Sequence, residues 1–407
     1  MKVQTSTRTN KGSALTVFAS FLHFDLCFTL WVLLGSLSIF ITKDLRLNSA
    51  QQGLMVAIPT LSGSLMRIVM GILSDRFGGK RSGTAMLFFL FIPLFLAWLL
   101  PINFAGIIAI GLMLGVAGSS FAVALPLASH WYPPSRQGLI MGITAAGNIG
   151  TVVANLAAPS LAKSYGWHAV MGLSILPLAI VLVIFVLLAK DSPDRPVGVD
   201  LSRYISVLRS GDIWWFCLFY SVTFGGFVGL STFLPLFLKN QYTTFNPITA
   251  GLFTALAAFL GSTFRPLGGF LADKIGGGRI LTALLIGIGI IYLAISLLPA
   301  IGVMIWLFLL IMICLGMGNG AVFQLVPLRF RREIGIATGL VGAFGGVGGF
   351  FLPTLLGSIK QISGSYGSGL VILAIIAFIA LVALRIFLAA QREWSVAPSV
   401  IVEGETA

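Results

Sequence analysis

The chain has 407 residues, 57% apolar and 9% charged, against about 25% charged in a soluble domain. Twelve Asp and Glu cannot clothe a water-soluble globule of this size, while stretches of about 20 apolar residues, enough to cross hydrocarbon, recur from end to end. The net charge of +13 comes from short Lys and Arg clusters between apolar runs, which is a pattern of membrane orientation rather than of nucleic-acid binding.

Charged and Pro/Gly clusters punctuate the chain into spans at 14–42, 51–73, 83–101, 105–130, 137–160 and 166–189. A second six follow at 212–238, 247–272, 279–299, 302–327, 335–358 and 365–390. The expected fold is an all-α integral membrane protein of twelve transmembrane helices in two six-helix halves, 1–189 and 212–390. A polar loop at 190–211 joins the halves and a tail at 391–407 follows them. The first apolar stretch is about twice the length of a signal-peptide core and is expected to remain as a span. With the N-terminus inside, 18 of the 25 Lys and Arg fall in inner loops and tails and five in outer loops. That bias places both termini in the cytoplasm. Cys27, Cys217 and Cys314 lie in apolar segments without paired spacing and read as small core residues.

The sequence repeats itself. Residues 63–81, GSLMRIVMGILSDRFGGKR, match residues 261–279, GSTFRPLGGFLADKIGGGR, at nine of nineteen positions with a constant offset of 198. The offset is close to half the chain, so a duplicated six-span unit with a shared central cavity is expected. The remaining two basic residues, Arg67 and Arg265, lie within spans at matching positions of the repeat, about one and a half turns inside the cytoplasmic ends. An Arg there costs from about 2.5 kcal/mol upward unless it faces a cavity or a partner. Two guanidiniums aimed at one cavity make a site for a small anion, because the planar fork gives bidentate bonds to oxyanions and keeps its charge. The alternative is that each snorkels to the interface or pairs with a loop acid.

The string GILSDRFGGKR, with Asp75 and Arg76, resembles the loop motif of the major facilitator superfamily and recurs in degenerate form around Asp273. These acids are expected to act as structural latches that receive bonds from helix N-termini or nearby Arg. The fifth and eleventh spans carry GITAAGNIGT and GLVGAFGGVGG. Together with the Arg pair, these glycine-rich strings resemble the nitrate/nitrite porter family, and the resemblance covers residues 14–390. Thr151 stands where a further glycine is common in that family.

The resemblance implies a secondary transporter, not an enzyme, whose partners are nitrate, nitrite and protons, and whose substrate is gripped by Arg67 and Arg265. By the family pattern Phe121, Tyr220 and Phe224 line the cavity. Asn148 either donates to a nitrate oxygen or bonds across helices. Gly142, Gly147 and Gly150, with Gly345, Gly346, Gly348 and Gly349, let the helices pack closely and slide. Asp25 is an acid deep in a span, with His23 two residues away and on a different helix face. Asp25 reads either as a proton carrier or as a static counter-charge to the Arg pair, and His23 is a second proton candidate. Counting charge, two Arg and an ionised Asp leave the empty site at +1, and nitrate plus a proton restores +1. That balance, and the likeness of HFDLCFTLWVLLG to assimilatory members, favour import of nitrate with protons by alternating access. The expected setting is a monomer in the bacterial plasma membrane, in contact with lipid and not with nucleic acid. A nitrate/nitrite antiporter and an exporter of organic anions or drugs are the alternatives. The string HExxH, paired CxxC, a phosphate loop and GxSxG are absent, and three scattered His make no metal site, so neither metal nor cofactor is expected.

Overall fold

The structure is a computed structural model and describes residues 12–133, 140–141, 143–193, 201–330 and 334–390. Every regular element among them is a helix. The first half comprises α1 (Ala14–Trp31), α2 (Leu33–Ser36), α3 (Ser38–Leu45), α4 (Ser49–Phe77), α5 (Gly79–Leu99) and α6 (Phe104–Gly115). A 3₁₀ turn (Val116–Ser119) leads to α7 (Phe121–Ser129), and a second (Ala146–Ile149) to α8 (Gly150–Tyr165), α9 (Trp167–Leu173) and α10 (Ile175–Leu188). After the short α11 (Leu201–Arg209) come α12 (Gly211–Gln241), α13 (Pro247–Ile275), α14 (Gly277–Ser296), α15 (Ile301–Arg329), α16 (Ile334–Ser363) and α17 (Gly367–Ala390).

Eleven helical segments among the described residues are long and apolar enough to cross a membrane. The twelfth expected span, at 137–160, begins in residues outside the described set and continues through the second 3₁₀ turn into α8. The first span differs from its sequence reading. It is three helices, interrupted at Val32 and Leu37, and it runs on to Leu45. A Gly/Ser pair is a usual place for a helix to kink, and here Gly35 and Ser36 lie at the break. A Cβ on Gly35 would sit 2.8 Å from the Thr232 carbonyl oxygen, and Ser36 bonds to Asn155 Oδ1 at 3.1 Å. The sixth span bends at Ser174, whose hydroxyl donates to the Val170 carbonyl oxygen at 2.8 Å.

Helix punctuation obeys the 198-residue offset more faithfully than the side chains do. Asn48 and Asn246 begin α4 and α13, each with a capping box. Gly78 and Gly276 end the same two helices at φ 98° and 101°. Gly166 and Gly364 form a further matched pair at φ 83° and 73°, a region that only glycine enters without strain. The loop motif thus owes its glycines to backbone geometry. Because α4 and α13 run on to Phe77 and Ile275, Arg67 and Arg265 lie ten residues from those ends. That is about 15 Å and deeper than the one and a half turns expected. Cys27, Cys217 and Cys314 are free.

The two halves meet along α4 and α16. A Cβ on Gly53 would fall 2.3 Å from the Pro353 carbonyl oxygen, and one on Gly357 would fall 2.5 Å from that of Ser49. The Ser49 backbone N–H donates to Gln361 Oε1 at 3.1 Å, and Asn240 donates to Gln52 at 3.0 Å. Gly251 of α13 is pressed against Asn155 and Pro159 of α8. These contacts seal the end opposite the Lys- and Arg-rich loops and reach inward to Arg67. The α12 helix is the inner pillar of the second half, with 94% of its central stretch buried.

Candidate functional site

The site grows from one residue on α4. Arg67 is 4% exposed and held by two hydrogen bonds and a cage of rings. Its Nε donates to the Gly118 carbonyl oxygen at 3.0 Å, and its Nη1 to the Gly342 carbonyl oxygen of the other half at 2.5 Å. Three rings surround the guanidinium, those of Trp31, Phe121 and Phe224, with centroids at 5.4, 5.7 and 5.3 Å. A cation against each ring contributes about 0.5–2 kcal/mol. Its third nitrogen, Nη2, is buried with no hydrogen-bond partner. A charged donor left unpaired inside protein is costly and marks the place where an acceptor is wanted.

Arg265, the repeat partner, is half-buried and loosely held. Its Nη2 reaches the Tyr220 hydroxyl at 3.5 Å and its guanidinium lies 5.5 Å from the Phe323 ring. The two guanidiniums lie against one stacked pair of rings, Arg67 on Phe224 and Arg265 on Tyr220. Tyr220 is seated by a parallel stack on Phe224 at 4.9 Å and an edge contact with Phe323 at 4.8 Å. Neither Arg is ion-paired to a carboxylate among the described residues. The structure therefore brings together Arg67, Arg265, Tyr220, Phe121 and Phe224 around a doubly positive centre. Phe121 and Phe224 serve there as walls of the Arg67 cage.

The glycine-rich strings divide by task. On α16, Gly345 makes room for the Tyr220 ring, where a Cβ would come within 2.3 Å, and Gly348 packs on the Ser221 carbonyl. Gly346 and Gly349 face the other half, and a Cβ on Gly346 would meet Ser64 Oγ at 1.9 Å. On the fifth span, Gly147 and Gly150 pack on the backbone of Asp25, inside their own half. Of the glycines expected as moving contacts, Gly346 and Gly349 therefore lie between the halves, whereas Gly147, Gly150, Gly345 and Gly348 do not. Gly142 lies outside the described residues. Asn148 is 9% exposed with its Oδ1 unpartnered, in the 3₁₀ turn that packs between α1 and α13.

His23 and Asp25 part company. The His23 ring is buried in the first half, 3.4 Å from the Gly83 carbonyl oxygen and tilted on Phe185 at 4.6 Å. Asp25 lies against the fifth span with its Oδ1 buried and unpartnered. Its reading as a static counter-charge finds no ion pair to support it. The loop motif also departs from expectation. The bond to the N-terminus of α5 comes from Asp191, whose Oδ1 accepts from the Lys80 N–H at 3.2 Å. Asp75 accepts no hydrogen bond among the described residues, Asp273 is exposed, and Arg76 lies over Phe77 at 5.5 Å.

Reading the sequence does not pick out Trp31, Gly118, Gly342 or Phe323, although Gly342 lies inside the second glycine-rich string. Trp31 donates from Nε1 to the Pro59 carbonyl oxygen at 2.8 Å, and its ring occupies the space a side chain on Gly118 would need.

This architecture, with a buried cationic centre between two six-span halves, is that of a major facilitator membrane transporter, and the Major Facilitator Superfamily model matches residues 19–353. The chain superposes on a bacterial homologue of the human lysosomal transporter Spinster with TM-score 0.73 at 19% identity, covering 94% of this chain and 98% of that one. It does so on the D-xylose–proton symporter with TM-score 0.72 at 17% identity, covering 91% and 96%. Among sequence relatives, the "Nitrite extrusion protein" of Bacillus subtilis is 38% identical over 352 residues, covering 86% of this chain and 88% of that one. The "Probable nitrate/nitrite transporter NarK2" of Mycobacterium tuberculosis is 35% identical over 370 residues, covering 87% and 91%. The "Probable nitrate/nitrite antiporter NarK1" of Thermus thermophilus is 32% identical over 384 residues, covering 86% and 85%. The chain belongs to the nitrate/nitrite porter family of the major facilitator superfamily.

Proposed function

We propose that the protein imports nitrate, and nitrite, across the bacterial plasma membrane by alternating access, with both termini in the cytoplasm. The observation that carries this reading is the pair of opposed guanidiniums without a carboxylate partner, one presenting a buried, unpartnered N–H. A planar oxyanion satisfies that donor, accepts from Arg265 and the Tyr220 hydroxyl, and cancels charge that is costly in the membrane interior. Asn148 is a further ligand candidate. The basic loops face the cytoplasm, so the contacts along α4 and α16 close the outer side, and Gly346 and Gly349 are the surfaces on which the halves move.

In this reading the anion travels with a proton carried on Asp25, a carboxyl whose Oδ1 has no partner. The same geometry suits nitrate/nitrite exchange without a proton, the activity in the name of the Thermus thermophilus relative. Proteoliposomes separate the two. Accumulation of labelled nitrate driven by an imposed pH gradient, lost in Asp25→Asn, supports symport, whereas uptake that requires internal nitrite supports exchange. Binding that fails to prefer nitrate over bulky carboxylates would point instead to an organic-anion exporter.

A further inference from the structure

A second cationic feature lies away from the central site, on the membrane-facing surface. Where α5 and α10 meet at the basic end, they leave an open groove of about 460 Å³ lined by Lys80, Arg81, Thr84, Ala85, Phe88 and Val186, with Asp191 at its mouth. That volume is within the range of clefts that hold small molecules, about 300–1,000 Å³. Arg81, Thr84, Ala85 and Phe88 fall at one face of α5, spaced as i, i+3, i+4 and i+7. The small residues form the floor, and Phe88 (59% exposed) and Val186 (38%) form the walls.

Charge is graded along the groove. Its mouth carries two cations at the first turn of α5, and neither is ion-paired among the described residues. One Asp191 oxygen receives the Lys80 backbone N–H at 3.2 Å, at the N-terminus of the helix. The rest of the groove is apolar and open to the bilayer. We propose that this groove binds an anionic phospholipid, with its phosphate on Lys80 and Arg81 and one acyl chain along Ala85, Phe88 and Val186.

The duplicated half supplies an internal comparison. Lys80 corresponds to Gly278 at the 198-residue offset, and the space beside Gly278 is filled by Leu388, whose Cδ2 would stand 2.8 Å from a Cβ there. The position equivalent to Lys80 therefore faces an apolar side chain, although Arg279 is present. The site is a feature of one half, not a consequence of the shared loop motif.

The test is lipid retention by the purified full-length transporter, titrated with phosphatidylglycerol or phosphatidylcholine and read by native mass spectrometry. Phosphatidylglycerol is expected to be retained in preference. Lys80→Gln and Arg81→Gln should each weaken retention about fivefold, and the double variant about thirtyfold, by the usual contribution of a basic residue near an anionic lipid surface. Phe88→Ala should weaken long-chain but not short-chain phosphatidylglycerol, and Arg279→Gln should leave retention unchanged. Equal retention of the two lipids, or an unaltered double variant, overturns the proposal. So does inorganic phosphate that displaces the lipid as effectively as phosphatidylglycerol does, because that outcome describes a free-anion site. Should the cation variants fail to purify, raised salt on the wild type decides, since a headgroup contact at the surface is screened and salt-insensitive retention is incompatible with it.

Discussion

Replacing Arg67 by Lys keeps the charge and removes the fork. Nε and Nη1 each donate to a backbone carbonyl, at 3.0 and 2.5 Å, and Nη2 is left for a guest. A lysine ammonium can serve one of these carbonyls, so the other is left buried and unpartnered at a cost of about 1–3 kcal/mol. The donor offered to the anion disappears as well, and a hydrogen bond to a charged group contributes about 1.5–3 kcal/mol. At 1.4 kcal/mol for each factor of ten, nitrate binding should weaken about 10- to 100-fold, and the melting temperature should fall with it. Arg265→Lys should weaken nitrate binding without lowering the melting temperature, since Arg265 holds only a 3.5 Å contact to Tyr220 and one ring. Calorimetric nitrate titration and thermal unfolding of the same purified samples check both, with membrane insertion confirmed first. Unchanged nitrate affinity in Arg67→Lys would refute the reasoning, and so would an equal loss of stability in the two variants.

The remaining predictions concern the supports of the site. Tyr220→Phe removes the hydroxyl that Arg265 reaches at 3.5 Å, so the nitrate KM in reconstituted uptake should rise about tenfold, whereas an unchanged KM would take that hydroxyl out of the site. Gly346→Ala puts a methyl 1.9 Å from Ser64 Oγ and should cost about 1–3 kcal/mol as overpacking. Gly342→Ala, whose Cβ meets Arg67 Nη1 only at 3.6 Å, should be milder, and Ser64→Ala should partly rescue Gly346→Ala in thermal unfolding. At the basic end, burial lowers the His130 pKa from its ordinary 6.5, partly opposed by Asp191. A group lowered in the folded state contributes stability that is present above its unfolded value and lost as pH falls below it. Amide protection at residues 190–193, which share a pocket with His130, should therefore fall below that pH once the intrinsic slowing of exchange in acid is divided out, and a pH-independent protection factor would contradict the reasoning.

The duplication and the Arg pair are legible because each breaks a strong regularity: an apolar span holding a permanent charge, twice, at one spacing. Helix ends are legible where Asn48, Gly78 and their counterparts carry the punctuation in their own chemistry. The partners of Arg67 are hidden for a physical reason. Gly118 and Gly342 offer backbone carbonyls, which every residue possesses, so no side chain announces them. The depth of Arg67 is not legible in the sequence because the loop motif reads as polar loop, whereas its first residues continue α4 as helix. Asp75 is prominent in the motif, yet Asp191, over a hundred residues away, supplies the cap on α5, and only the folded chain brings the two segments together.

The hydrogen bond from Arg67 to Gly342 has a thermodynamic consequence. If the anion takes the free Nη2 edge as proposed, one guanidinium both ties α4 to α16 and holds the guest, and occupancy and domain posture share an equilibrium. Linkage is reciprocal: however much an anion strengthens or loosens that tie, parting the halves must alter the hold on the anion by the same factor. A carrier needs a firm grip on one face of the membrane and a weak one on the other, and on the proposed reading a single side chain would provide the difference.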